Sequence, residues 1–376
     1  MKKVISEFSL IVLLVLSLLG CLDDRIAPEL NLQTESAIEL LVYLESNGDY
    51  INSSEIDDFV SAEEVYANRN SFLIVDVRLS SDFIGGHIEN ALNVQPKDLL
   101  GFIRSHDLNN YAKVVVVSES GQSAAYYTAL LKFAGIPKVY SMEYGMAAWH
   151  NDFVSIWLGA RRNFRVGSDE PNYFTNEDYP KSSLTNLPKL SFQSGTKDVK
   201  EKIEERIIIL LSAGFDEKLD NSDTTAKPNQ SIFNDGNASI AVGNIYSSYD
   251  RGTNLFSGYY VMCFGSIFLY NAKRFEGPFA SQGHLPSAVH YLPMIDIRST
   301  NDLQTIPTNK MAAVYDINGQ VSAKIVAYLR LLGYDAKSVL FGANTLFYSR
   351  VLWEQSLAPF AFMQEMVKNL PYVTGQ

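Results

Sequence analysis

Residues 114–140 read VVVVSESGQSAAYYTALLKFAGIPKVY. Four valines run into a small polar loop, and the loop runs into Ala, Leu and aromatic residues at helical spacing that stop at Gly135. A continuous β-branched run suits a strand covered on both faces of a parallel sheet. A glycine just past the last helical turn supplies the left-handed cap that ends a helix. The stretch predicts strand, polar loop, amphipathic helix, glycine, strand, and SFLIVDV (71–77) supplies a second buried run upstream. Strands alternating with helices imply an α/β fold with right-handed crossovers. In such sheets a site lies at the carboxyl ends of the strands, where loop 118–123 falls.

The same stretch occurs twice. VVVVSESGQSAAYYTALLKFAG (114–135) lies without a gap over AAVYDINGQVSAKIVAYLRLLG (312–333), placing Ser118 on Asp316, Gly121 on Gly319, Gln122 on Gln320, Ala125 on Ala323, Leu131 on Leu329 and Gly135 on Gly333. Upstream, GGHIENALNV (85–94) answers QGHLPSAVHY (282–291), displaced by one residue relative to the first alignment. Two copies of one domain is the economical reading.

With 376 residues, 47% hydrophobic and 19% charged, the chain has ordinary globular composition and length for two cores. Its beginning is different: Met1-Lys2-Lys3 is positive, Phe8 to Leu19 is almost wholly apolar, and Cys21 follows. Residues 1–20 read as a secretory signal, too short and wrongly flanked for a membrane span. Leu18-Leu19-Gly20-Cys21 resembles the lipobox of bacterial lipoproteins, with Leu19 bulkier than the usual small residue. That resemblance implies that Cys21 is acylated and becomes the first mature residue. The bilayer is then a partner, and the chain is exported and lipid-anchored at the inner or outer membrane of a bacterial envelope.

Of the two cysteines, Cys21 would carry lipid and Cys263 would stand alone, so no disulfide and no thiolate metal cluster can form within one chain. No metal and no cofactor is expected. The five histidines (His87, His106, His150, His284, His290) show no ligand pair at helical spacing. The net charge of −11 becomes −12 once Lys2, Lys3 and Glu7 leave with the signal. An acidic body of this kind is repelled by phosphate, which argues against nucleic acid.

Along the chain, 21–54 is an N-terminal helical segment, with Thr34 capping a helix that ends near Gly48. Residues 55–160 form the first domain, and the polar, proline-containing 161–190 reads as a linker. Val199, Ile203, Ile207 and Leu211 make an apolar helical stripe ending at Gly214, the opening helix of a second domain over 191–357. Residues 216–257 read as an inserted polar loop in that domain, and 358–376 as a tail.

These residues resemble the rhodanese family of sulfurtransferases. SAEEVY (61–66), IVDVRLSSDFIGGHIENALNV (74–94) with its Asp-x-Arg and Gly-His-Ile signatures, VVVVSESGQSA (114–124) and AGIPKVYSMEYGMAAW (134–149) ending at Trp149 stand in the family's order. The second copy keeps GHLPSAV (283–289), AAVYDINGQVSAKIVAYLRLLGY (312–334) and Phe347 in the place of Trp149. No Asp-x-Arg precedes its Gly-His, because Asp296-Ile297-Arg298 comes after it. The resemblance implies two three-layer domains, each a mainly parallel sheet flanked by helices.

The resemblance also implies a site. In active members the first loop residue is a cysteine that carries sulfane sulfur as a persulfide, and the loop's inward N–H groups form an anion cradle. Here the cradles are Ser118, Glu119, Ser120, Gly121, Gln122 and Ser123, and Asp316, Ile317, Asn318, Gly319, Gln320 and Val321. Neither Ser118 nor Asp316 forms a persulfide, and a serine hydroxyl is not ionised without a dedicated base. Related phosphatases close the same cradle with an arginine, but Ser123 and Ala124, or Val321 and Ser322, stand there instead. No residue is assigned a catalytic role. Asp316 is expected to fold into its own loop and accept its N–H groups, plugging the second cradle, while Glu119 puts negative charge on the rim of the first. Gly121 and Gly319 permit the loop turns. Asp76, Arg78, Gly86, His87, Gly283, His284 and Trp149 are expected to pin loops together, and Cys263 to be a buried, inert thiol.

Three functions compete. The first is a non-catalytic binding or scaffold module on the envelope, holding a partner protein or a small anion. The second is a sulfurtransferase that uses Cys263 or a partner's thiol. The third is a structural lipoprotein whose copies only fill space. An open cleft over 118–123 or an exposed apolar patch favours the first.

Overall fold

The computed structural model describes residues 35–163, 174–192, 198–219, 236–250, 252–253, 255–271 and 283–375. The signal 1–20, Cys21 and the capping Thr34 lie outside these residues. Helix α1 (Glu35–Ser46) buries Ala37, Leu40 and Leu41. Strands β1 (Phe59–Val60), β2 (Phe72–Asp76), β3 (Leu92–Asn93), β4 (Lys113–Val117) and β5 (Val139–Met142) form a five-stranded sheet in the order β1-β5-β4-β2-β3. Every pairing in it is parallel. β5, β4 and β2 are its inner strands, and all of Val114 to Val117 is buried, as a β-branched run demands.

Helix α2 (Gln122–Phe133) follows the loop after β4, and α3 (Val199–Ala213) comes beyond Asp198. The second half adds β6 (Ser239–Ile240), a hairpin of β7 (Tyr249–Asp250) and β8 (Leu255–Phe256), then β9 (Tyr259–Phe264), β10 (Val289–Tyr291), β11 (Met311–Tyr315), helix α4 (Gln320–Leu331) and β12 (Ala336–Val339). The second sheet is again five-stranded, in the order β10-β9-β11-β12-β6, and again parallel throughout. Read from its other end, β6, β12, β11, β9 and β10 stand where β1, β5, β4, β2 and β3 stand in the first. The molecule is α/β, with two parallel sheets flanked by helices.

Three expectations change. Helix α2 is not amphipathic in place: apart from the partly exposed Lys132, every residue from Gln122 to Phe133 is buried. One face meets its sheet and another meets α4, so Tyr126, Tyr127 and Thr128 are covered as fully as Leu130. Helix α3 does more than open the second half, since it packs on α1, α2 and α4 together. Its buried Arg206 donates to the carbonyls of Arg330 (2.5 Å) and Leu331 (3.3 Å), satisfying the open carbonyl end of α4. Within 216–257, read as an inserted loop, residues 239–240 are a strand of the second sheet, followed by a short helix, Val242–Tyr246, and the β7–β8 hairpin. A two-residue strand is too short for alternation to mark it. Residues 220–235 lie outside the described part.

The connecting segments are strapped across the molecule. In the span read as a linker, Asn163 bridges to Phe347 and Thr175 to His284 in the second half. Lys181 pairs with Asp296 (2.7 Å) and Asp302 (2.6 Å). The N-terminal segment also joins the second half: Asn52 donates to the Ile297 carbonyl at 2.8 Å, and Arg298 meets Asp49 at 3.0 Å. The C-terminal tail returns to the first half, where Val373 bridges His87 and Lys368 N–H donates to the Ala148 carbonyl. No helix among the described residues is long and apolar enough to cross a membrane.

Candidate functional site

Each cradle is built where a central strand ends. After Val117 the chain turns through Ser118 to Ser120, takes a left-handed conformation at Gly121 (φ 87°) and enters α2 at Gln122. Gly319 (φ 84°) does the same before α4. The left-handed residue turns the following N–H groups inward, and glycine adopts it without strain.

The first cradle is occupied by the chain itself. Glu217, only 7% exposed, lies in it. Its Oε1 accepts from the Ser118 hydroxyl at 2.9 Å and from Ser123 N–H at 2.6 Å, and its Oε2 accepts from Ser120 N–H at 3.0 Å. The Ser118 oxygen accepts in turn from Gly121 N–H at 3.0 Å and Ala124 N–H at 3.3 Å. The hydroxyl and the carboxylate together take four backbone donors, so an open cleft over 118–123, one of the two features that would favour the binding reading, is closed at its floor. Glu217 is carried there by the turn after α3: Gly214 has φ 82°, and Phe215 N–H donates to the Tyr127 hydroxyl at 3.0 Å.

Outside the plug, a cavity of about 380 Å³ is lined by charged groups, among them Arg78, Asp82, Glu119 and Lys218. Lys218 bonds Asp82 at 2.7 Å and lies 3.8 Å from Glu119. Burial raises the Glu119 carboxyl above the usual range, with Lys218 and Arg78 acting against it. Arg78 holds Asp76 and also donates to the Gly86 carbonyl, both at 2.7 Å, tying the strand end to the next loop.

The second cradle is plugged from within, as its sequence predicts. Asp316 Oδ1 accepts from Gly319 N–H at 2.5 Å and the Ser322 hydroxyl at 3.0 Å, and Oδ2 accepts from Val321 N–H at 3.0 Å. Burial raises its pKa, and these donors pull the other way. Asn318 accepts from Gln320 N–H at 3.1 Å, while Ile317 lies half-buried at the loop's edge.

The two loops touch one another's halves through a pair of glutamines. Gln122 Oε1 accepts from Phe341 N–H at 2.7 Å, and Gln320 Oε1 accepts from Tyr144 N–H at 2.9 Å. A Cβ on Gly319 would sit 2.2 Å from Gln122 Oε1, and one on Gly121 would sit 2.5 Å from Gln320 Oε1.

The other predicted positions serve loops. His87 bonds the Phe83 carbonyl at 2.8 Å and stacks on its ring. His284 lies between the carbonyls of Tyr270 (2.7 Å) and Glu177 (2.9 Å), and burial pulls its pKa down to about 4. Gly283 lies so close to Thr175 that a Cβ would meet its carbonyl oxygen at 2.0 Å. Trp149 donates to the Pro371 carbonyl at 3.0 Å. Cys263 pairs in register with Tyr315, one residue before the second cradle, but its thiol belongs to the buried core and is pushed up to about 12 by burial. It is no thiolate at neutral pH.

A model of the rhodanese-like domain matches residues 61–152. The thiosulfate sulfurtransferase GlpE of Shewanella oneidensis is 36% identical over 80 residues, 21% of this chain and 77% of that protein. The enzyme of the same name from Stutzerimonas stutzeri is 30% identical over 97 residues, 26% of this chain and 87% of that one. The chain belongs to the rhodanese family. Among solved structures, the 3-mercaptopyruvate sulfotransferase SseA from Escherichia coli matches with 14% identity over 74% of this chain and 96% of that one, at a TM-score of 0.25.

Within this rhodanese, Glu217 is the site residue that sequence reasoning missed. It sits 99 positions from Ser118, in a polar run that shares no spacing with either loop. The available signal was the repeat itself: one copy carries its own acid at the head of the loop, and the other has a neutral serine with its N–H groups still to satisfy.

Proposed function

We propose that this rhodanese is a binding or scaffold protein without sulfur transfer, its second half a diverged copy of the first. Acylation of Cys21 would hold it at the cell envelope. The observation that carries the reading is that both cradles hold the chain's own carboxylates, Glu217 and Asp316, where sulfur chemistry needs a thiolate and free N–H groups. Sulfur transfer from thiosulfate requires a thiolate to attack the sulfane sulfur while sulfite leaves with the S–S bonding pair. Ser118 offers a hydroxyl already spent on Glu217, and Cys263 is buried and protonated.

The resemblance to thiosulfate sulfurtransferases supplies the test, a thiosulfate:cyanide assay on the full chain. The unmodified protein is expected to show no turnover. Ser118→Cys alone is expected to stay silent, because the Glu217 carboxylate beside the new thiol raises its pKa and holds the donors. Ser118→Cys combined with Glu217→Ala is expected to turn over. Activity in the unmodified chain overturns the reading, and activity that disappears when thiols are blocked would favour sulfur transfer through an atypical thiol.

A further inference from the structure

The second half has a cavity of about 400 Å³ in front of its plugged cradle, with Asp316 on the lining and Phe264, Phe268, Met294 and Phe360 around it. Three of these are large apolar side chains left substantially in water: Phe268 is 41% exposed, Met294 46% and Phe360 44%. They come from three separate segments, after β9, after β10 and from the short helix Ala358–Phe360. Single exposed hydrophobic residues need no explanation, but several converging on one concave site do. The volume falls within the range of small-molecule pockets, roughly 300–1,000 Å³.

Charge narrows the occupant. Among the described residues, two acids, Asp57 and Asp316, line this cavity, and no Lys, Arg or His does. The N–H groups that would attract an anion are bonded to Asp316. The cavity outside the first cradle differs, since it contains both Arg78 and Lys218. An oxoanion or carboxylate is repelled from the second cavity, whereas an aromatic ring finds three phenylalanines and a methionine. Asp57 is exposed, Ser266 and Ser356 share the lining with it, and their oxygens give a bound molecule acceptors to bond.

We infer that this cavity is a site for a small, non-anionic aromatic molecule carrying a hydrogen-bond donor, held over Asp316 by Phe264, Phe268, Met294 and Phe360. The inference rests on the binding reading above and gives it a place and a ligand class, the opposite in charge to a sulfur donor such as thiosulfate.

Ligand-observed NMR titrations of the full chain with benzyl alcohol, benzylamine and benzoate test it, since the three probes share a ring and differ in charge. Benzyl alcohol and benzylamine are expected to saturate one site, and benzoate to bind at least about tenfold more weakly. Met294→Glu and Phe268→Glu are each expected to weaken benzyl alcohol by at least about tenfold, the second variant guarding against misfolding of the first. Asp57→Asn, which removes the charge and keeps an acceptor oxygen, is expected to weaken benzylamine more than benzyl alcohol. Equal binding of benzoate, no saturable binding, or binding untouched by both glutamate variants overturns the inference. Concentration-dependent self-association abolished by Met294→Glu also overturns it, by making the patch an interface between copies. Turnover in the thiosulfate assay sinks the non-catalytic reading without altering these titrations, and their failure leaves the assay result where it stands.

Discussion

A buried carboxylate surrounded by N–H donors is an anion supplied in cis, and the two loops supply it from different places. Asp316 stands in its own loop, whereas Glu217 arrives from the turn after α3. Removing the visiting group leaves the Ser120 and Ser123 N–H groups without a partner, which costs about 1–3 kcal/mol. Glu217→Ala is expected to lower the melting temperature in chloride buffer and to recover part of the loss in sulfate beyond the gain sulfate gives the parent; equal gains in both proteins would show that the cradle does not take an outside anion. Asp316 has a raised pKa in the folded state, so its contribution to stability is complete below the ordinary Asp value of about 3.9 and is lost as pH rises through the folded value. The stability of Asp316→Asn minus that of the parent should therefore climb as pH increases from about 4. Urea unfolding across the acidic range measures this, and a flat or falling difference contradicts it.

At the scale of elements, both helices over the cradles begin from a left-handed glycine pressed against the opposite half's glutamine. Gly319→Ala places a side chain at φ 84°, and its Cβ falls 2.2 Å from Gln122 Oε1. The conformation alone costs about 1–2 kcal/mol, and the clash adds to it. Gly101→Ala is the control: it lies inside the helix Leu99–Arg104, a Cβ there meets nothing within 4 Å, and the exchange should be neutral or slightly stabilising. Thermal unfolding of the two variants separates the effects. The strand, loop and helix of each cradle were legible because valine runs, glycine punctuation and helical spacing are local signals written within about twenty residues. The Asp316 plug was legible for the same reason, as donor and acceptor lie within six positions. Glu217, the two-residue strand β6 and the shared seat of α3 were not, because their partners are far away in sequence and leave no periodic trace in the chain.

At the scale of the molecule, the segment before β1 packs on the second half and the C-terminal tail packs on the first. Lys324 of α4 is fully buried, donates to the Ile56 carbonyl at 2.7 Å and pairs with Asp58. Burial lowers the lysine's pKa and raises the aspartate's, each against the pull of its partner. Breaking such a pair from one side typically costs about 3–5 kcal/mol, because the remaining charge stays in the interior. Lys324→Met should thus be more destabilising than Lys324→Met with Asp58→Asn, and denaturant titration of both proteins checks the order.

The exchanged glutamines bear on how the protein comes apart. Neither α2 nor α4 can leave its place without uncovering a backbone N–H in a loop of the other half, and each end of the described chain is seated on the half to which it does not belong. Calorimetry should accordingly record one heat-absorption peak for two sheets, and neither half, made alone, should hold a native shape.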